Sequence, residues 1–160
     1  MSSALNNIDQ SPLEAVKDAV KSFEALTADE KLGLLWVLYD NMGGSITPAA
    51  PGAANPQFTQ TLLSGVKAME QQEQLEFMRN LVEKKDTEYT RQYSAFTKDN
   101  KLVFWYELAL LMTEGEVIPM PRNYSLPSAA SELFNTISQM EFNDQITVLR
   151  DAVIDMGPAA

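Results

Sequence analysis

The sequence contains no cysteine and no histidine. The first absence excludes disulfides, thiolate metal sites and cysteine nucleophiles. The second removes the commonest general base and metal ligand, and with it serine–histidine hydrolysis and histidine ligation of zinc or haem. Basic residues are scarce: 12 Lys and Arg stand against 22 Asp and Glu, and the net charge of −10 argues against nucleic acid or an anionic membrane as partner. No apolar run reaches the roughly 18 residues of a membrane span. Met1 to Gln10 lacks the apolar core of a signal peptide, so a cytoplasmic protein is expected. A glycine-rich phosphate loop, a dinucleotide fingerprint, an EF-hand loop and the Glu-x-x-His pair of carboxylate bundle sites are all missing, as are internal repeats and low-complexity tracts. Little enzyme chemistry remains.

What is present is apolar, aromatic and periodic. In Lys101–Met112, residues Leu102, Trp105, Tyr106, Ala109 and Met112 share one helical face, while Val103, Phe104, Leu108, Leu110 and Leu111 make the rest nearly as apolar. Such a helix is expected to be enclosed by others. Leu32, Leu35, Trp36 and Tyr39 repeat the pattern earlier, so both tryptophans of the chain fall on two central helices. Eight methionines are many for a domain of 160 residues; their ordinary use is to fill core gaps, and they also suit an adaptable apolar surface.

In chain order, Met1–Gln10 reads as a loose arm and residues 11–160 as one domain. Ser11-Pro12-Leu13-Glu14 starts a first helix, with Val16, Val20 and Phe23 on one side, and Thr27-Ala-Asp-Glu30 is a capping box for a second, expected over Ala28–Met42 and stopped by Gly43-Gly44. Gly43–Asn55, with two prolines and three glycines, is a long connection, either a spacer or a functional loop. Pro56 starts a third helix, and a fourth runs through Leu75, Met78, Leu81 and Val82. Thr87 opens a short fifth, and the Trp105 helix closes at Gly115. Val117–Tyr124, apolar and broken by prolines, is expected to fold back over the domain. Ser128 is read as the cap of a seventh helix and Asn143 as the cap of an eighth, with Ile146, Leu149, Val153 and Met156 inward and Gly157 as its stop. Eight amphipathic helices and no strand alternation predict an all-α domain of paired bundles sharing a central seam.

Two ionisable residues stand out. Glu107, embedded in the central apolar helix, reads as a paired structural acid or an edge position rather than a poised general acid. Arg150, alone among Glu141, Asp144, Asp151 and Asp155, reads as an intrahelical ion pair or a contact to a partner.

Four motifs taken together, Leu34-Leu-Trp-Val-Leu-Tyr39, Ile46-Thr-Pro-Ala-Ala-Pro-Gly-Ala-Ala-Asn55, Phe104-Trp-Tyr-Glu-Leu108 and Gln145-Ile-Thr-Val-Leu-Arg-Asp-Ala-Val-Ile-Asp-Met-Gly157, resemble the N-terminal domain of the cyanobacterial Orange Carotenoid Protein, in one register from about Leu13 to Gly157. That protein carries a second, C-terminal domain; a chain ending at Ala160 is similar to the single-domain helical carotenoid proteins. The resemblance implies two discontinuous four-helix bundles sharing a central ligand tunnel, one keto-carotenoid of the canthaxanthin, echinenone or 3'-hydroxyechinenone type, and no enzymatic activity. It implies ring contacts from Trp36, Tyr39 and Trp105, with Tyr106 beside them. It places Leu32, Leu35, Met42, Met78, Leu81, Ala109, Met112, Met120, Tyr124, Ile146 and Val153 along the polyene. Leu81 stands where the two-domain relative has methionine, and Ala109 where it has glycine, which narrows the channel. Arg150 and Asp99 take the positions that face the second domain, the first also meeting the phycobilisome antenna; Asp99 replaces an asparagine, which alters that interface. The implied role is photoprotection by quenching singlet oxygen, with pigment carriage, a separate C-terminal-domain homologue as pigment donor, direct quenching of phycobilisomes, and a cytoplasmic place near thylakoid membranes as further expectations. The alternative of another class is a pigment-free helical interaction module.

Overall fold

Eight helices follow one another through residues 12–42, 56–121 and 123–159, which the computed structural model describes: α1 (Pro12–Glu24), α2 (Ala28–Met42), α3 (Pro56–Lys67), α4 (Gln71–Val82), α5 (Glu88–Ser94), α6 (Lys98–Glu114), α7 (Ser128–Ser138) and α8 (Phe142–Ile154). No strand occurs among these residues. The Met1–Gln10 arm, the Ser11 cap and the Gly43–Asn55 connection lie outside them.

Local chemistry sets several boundaries where the sequence places them. Thr27 and Glu30 exchange reciprocal bonds, the Thr27 N–H donating to Glu30 Oε1 at 2.8 Å and the Glu30 N–H to Thr27 Oγ1 at 3.2 Å, so α2 begins at Ala28. Thr87 caps α5 by accepting the Thr90 N–H, and α6 ends at Gly115, whose φ of 80° suits a residue without a Cβ. Two starts differ from expectation. Ser128 and Asn143 are not caps: α7 is preceded by Pro127, whose carbonyl accepts the Ser131 N–H at 2.8 Å, and α8 by Glu141, whose carbonyl accepts the Gln145 N–H at 3.0 Å. In both cases an extended backbone, rather than a side-chain acceptor, turns the chain into the helix. Gly157 stands beyond the end of α8 at φ 80° and donates its N–H to the Leu81 carbonyl at 2.8 Å.

The packing sorts the helices into two groups. One is discontinuous in sequence, α1 and α2 packing with α7 and α8; the other is α3 to α6. Helices α2 and α6 touch members of both groups, which puts them on either side of the seam. Leu34, Leu38, Phe104 and Leu108 of these two helices have 2% exposure or less, and burying each such side chain is worth about 1.5–3 kcal/mol. Helix α6 is not enclosed all round, contrary to the expectation from its composition. Leu110 is 44% exposed and Tyr106, Ala109 and Leu111 are half-buried, because α2 covers only part of that flank.

Candidate functional site

The flank that α6 leaves open faces the seam. A cavity of about 210 Å³ lies there, walled by Leu32, Leu35, Trp36 and Tyr39 of α2, Leu75 and Met78 of α4, and Trp105, Ala109 and Met112 of α6. Ile118, Pro119, Met120 and Pro121 close it from the loop between α6 and α7. A second cavity of about 190 Å³ adjoins it, with Trp36, Tyr39 and Ala109 as common walls and Asp40, Tyr106, Leu110 and Thr113 as its own. The two spaces form an apolar cleft along the α2–α6 seam.

Two of the polar-edged side chains on the cleft have those edges satisfied away from it, as buried hydroxyl and indole groups usually do. Tyr39 donates its hydroxyl to the Leu102 carbonyl at 3.0 Å, and Trp105 donates its indole N–H to the Tyr93 hydroxyl at 3.0 Å. Tyr93 in turn donates to the Val153 carbonyl of α8 at 2.6 Å. Burial pushes both tyrosine hydroxyls far above their ordinary value of 10, so they stay neutral donors. The rings form a tilted and edge-on cluster: Tyr39 meets Tyr106 at 6.5 Å between centroids, and Tyr93 meets Phe104 at 5.5 Å and Trp105 at 6.5 Å.

The loop over the cavity is held at two points. Buried Gln74 of α4 accepts the Ile118 N–H at 2.7 Å while its amide donates to the Val66 carbonyl at 3.0 Å. Tyr124 sets its hydroxyl directly over Gly33 of α2, where any Cβ would collide with it. The apolar loop expected to fold back does so.

The cavity thus gathers Leu32, Leu35, Trp36, Tyr39, Met78, Trp105, Ala109, Met112 and Met120, and Tyr106 joins from the adjoining space. Met42, Leu81, Tyr124, Ile146 and Val153 do not line either cavity. Of these, Met42, Leu81 and Val153 are core residues, Ile146 is half-buried, and Tyr124 lies over Gly33. Leu75, Ile118, Pro119, Pro121, Asp40, Leu110 and Thr113 line the cleft without having been singled out for it. The prolines that punctuate an apolar loop were the available signal for its share of the wall.

Glu107 lines neither cavity. Gln60 Nε2 of α3 donates to its Oε2 at 2.6 Å and Thr59 Oγ1 to its Oε1 at 3.4 Å, so it is a structural acid paired by hydrogen bonds across α3 and α6. Burial raises its carboxyl above the ordinary 4.5, and the two hydrogen bonds oppose the shift. Arg150 is not in an intrahelical pair. Its Nη2 reaches Asp99 of α6 at 3.8 Å, and its buried Nε has no hydrogen-bond partner among the described residues. Arg150 and Asp99, the two positions that the resemblance turns toward a second domain, lie beside each other. No group of three or more acidic side chains placed to hold a metal occurs among the described residues, and no helix there is long and apolar enough to cross a membrane.

A family model described as the N-terminal part of orange carotenoid protein matches residues 9–159. An orange carotenoid-binding domain-containing protein of Nostoc sp. strain PCC 7120 is 43% identical over 144 residues, covering 90% of this chain and 84% of that protein. The orange carotenoid-binding protein of Synechocystis sp. is 40% identical over 144 residues, and there the match spans only 45% of the relative's length. Among solved structures, the Red Carotenoid Protein of Anabaena (Nostoc) sp. PCC 7120 binding canthaxanthin superposes with a TM-score of 0.81 at 33% identity, over 90% of this chain and 99% of that one. The Orange Carotenoid Protein of the same organism binding canthaxanthin gives 0.83 at 37%, over 92% and 48%.

Proposed function

The chain belongs to the family of orange carotenoid protein N-terminal domains, and on that premise we propose that it binds one keto-carotenoid along the α2–α6 seam and serves in photoprotection. The observation that carries this reading is the cleft itself: two adjoining apolar spaces that share Trp36, Tyr39 and Ala109 as walls. A conjugated pigment is a rod comparable in length to the ~30 Å core of a bilayer, longer than either space, so it passes from the Met120 end past Trp36 and Trp105 toward Tyr106 and Leu110. Trp36, Tyr39, Trp105 and Tyr106 hold a ring end, and Leu35, Met78, Ala109 and Met112 the polyene. At about 0.3 kcal/mol for each of roughly 40 heavy atoms, apolar contact alone gives about 12 kcal/mol, an affinity of nanomolar order. No covalent link is required.

The chemistry is physical quenching: excitation, or the energy of singlet oxygen, passes to the polyene and leaves as heat, while the protein supplies solubility and fixed geometry. Carriage of pigment received from a separate C-terminal-domain homologue fits the same cleft, in the cytoplasm and near thylakoids. Docking on phycobilisomes through Arg150 is the weaker extension, because Asp99 already takes up part of that charge. The test is the visible absorption of the protein purified from a host that makes keto-carotenoids. A carotenoid band that co-elutes at about one pigment per chain supports the proposal; a colourless, folded protein overturns it in favour of a pigment-free interaction module.

A further inference from the structure

The two tryptophan walls of the cleft are held in different ways. Trp105 is 4% exposed, and its indole N–H is locked onto Tyr93, which is itself fully buried, tied to the Val153 carbonyl and edge-packed against Phe96 and Phe104 at 5.9 and 5.5 Å. Lys101 adds its ammonium over the Tyr93 ring at 5.4 Å while donating to the Ile154 carbonyl at 2.8 Å, so α8 holds this corner at two successive carbonyls. Trp36 is half-buried, and its indole makes no hydrogen bond among the described residues. Tyr93 touches neither cavity.

We infer that Tyr93 is a positioning residue for the cleft, its hydroxyl fixing the plane of the Trp105 indole while the Trp36 indole is left to adapt to whatever is bound. The physical reason is the number of partners the hydroxyl can serve. A phenol has one proton to give and lone pairs to accept. Here the proton goes to α8 and a lone pair takes the indole N–H, and both side chains are buried, so rotating the Trp105 ring breaks a bond away from solvent. The cleft then has one rigid aromatic wall and one adjustable one. A pigment's absorption depends on the planarity imposed on it, so the rigid wall sets the band and the adjustable wall sets tolerance for different end rings.

This inference rests on the proposed pigment site, and the experiment separates the two. With two tryptophans in the chain, a 1H–15N spectrum of the pigment-loaded protein holds two indole N–H signals, assigned through W36F. In the wild type the Trp105 indole proton exchanges with solvent at least tenfold more slowly than that of Trp36; equal rates overturn the inference without any substitution at Tyr93. In Y93F the Trp105 proton loses this protection, and the carotenoid band shifts or broadens with pigment per chain unchanged. An unmoved band overturns the inference. In the W105F background, adding Y93F leaves the band where W105F put it. A further shift of similar size there means that Tyr93 acts as general core packing, which also overturns it. A colourless wild type with a slowly exchanging Trp105 proton sinks the pigment reading while leaving the hydrogen bond in place.

Discussion

Ala109 is the smallest side chain on the walls of both cavities and lines each of them. Ala109→Leu adds three carbon atoms to a wall the two spaces share, while Leu110 and Thr113 beside it stay open to solvent. The expected outcome is at least a tenfold loss of bound pigment with helical circular dichroism unchanged. Pigment content equal to wild type would place the ligand elsewhere. Gly33 makes a different point. Its Cβ-less surface receives the Tyr124 hydroxyl, and an added methyl must displace a flexible side chain rather than a backbone. The ~1 kcal/mol gained from helix propensity therefore offsets most of the lost contact, and Gly33→Ala should change stability by no more than about 1 kcal/mol. What moves is the phenol. Burial, with Asp29 and Glu30 nearby, holds the Tyr124 hydroxyl above its ordinary 10, and in the variant it should return toward that value in an alkaline titration followed by ultraviolet absorption.

Helices α3 and α6 are joined by a carboxyl group whose charged form is disfavoured by burial, and this gives their contact a pH dependence of known sign. The folded-state value of Glu107 lies above the ordinary 4.5, so the folded protein binds the proton more tightly than the unfolded chain. Stability is thus fully present below the ordinary carboxylate value and falls as pH rises through the raised one. Glu107→Gln, which keeps an oxygen for Gln60 Nε2, should be more resistant to urea than wild type at pH 7, with the difference vanishing below about pH 4. A gap that persists in acid would mean packing, not charge. Elements were legible in the sequence wherever their ends are fixed by side chains, as at Thr27–Glu30, Thr87 and Gly115. They were misplaced where bare backbone does the turning, at Pro127 and Glu141. The aromatic walls on α2 and α6 were legible because two similar apolar patterns carry them. The Arg150–Asp99 pair was not, because the acids near Arg150 in sequence point to a local partner and only the α6–α8 packing brings Asp99 alongside.

At the scale of the whole molecule, a ligand in the seam touches both helix groups at once, and its binding is linked to global unfolding. Pigment at about one hundred times its dissociation constant stabilises by about 2.7 kcal/mol. For a domain of this length that corresponds to a rise in Tm of roughly 5–10 °C. Loaded and pigment-free protein compared by calorimetry should differ by that amount, and coincident transitions would argue against a site in the seam.

The discontinuity of the first helix group has a consequence in time. Helices α3 to α6 are neighbours in the chain and can assemble as they are made, whereas α1 and α2 must wait for α7 and α8. Synthesis at about 5–20 residues per second leaves roughly 100 residues, several seconds of translation, between the start of α2 at Ala28 and that of α7 at Ser128. During that interval the α2 side chains that later meet α7 and α8 have no native cover. The nascent chain is therefore exposed to misassociation while α7 and α8 remain to be made, and closure of the domain around the seam waits for them.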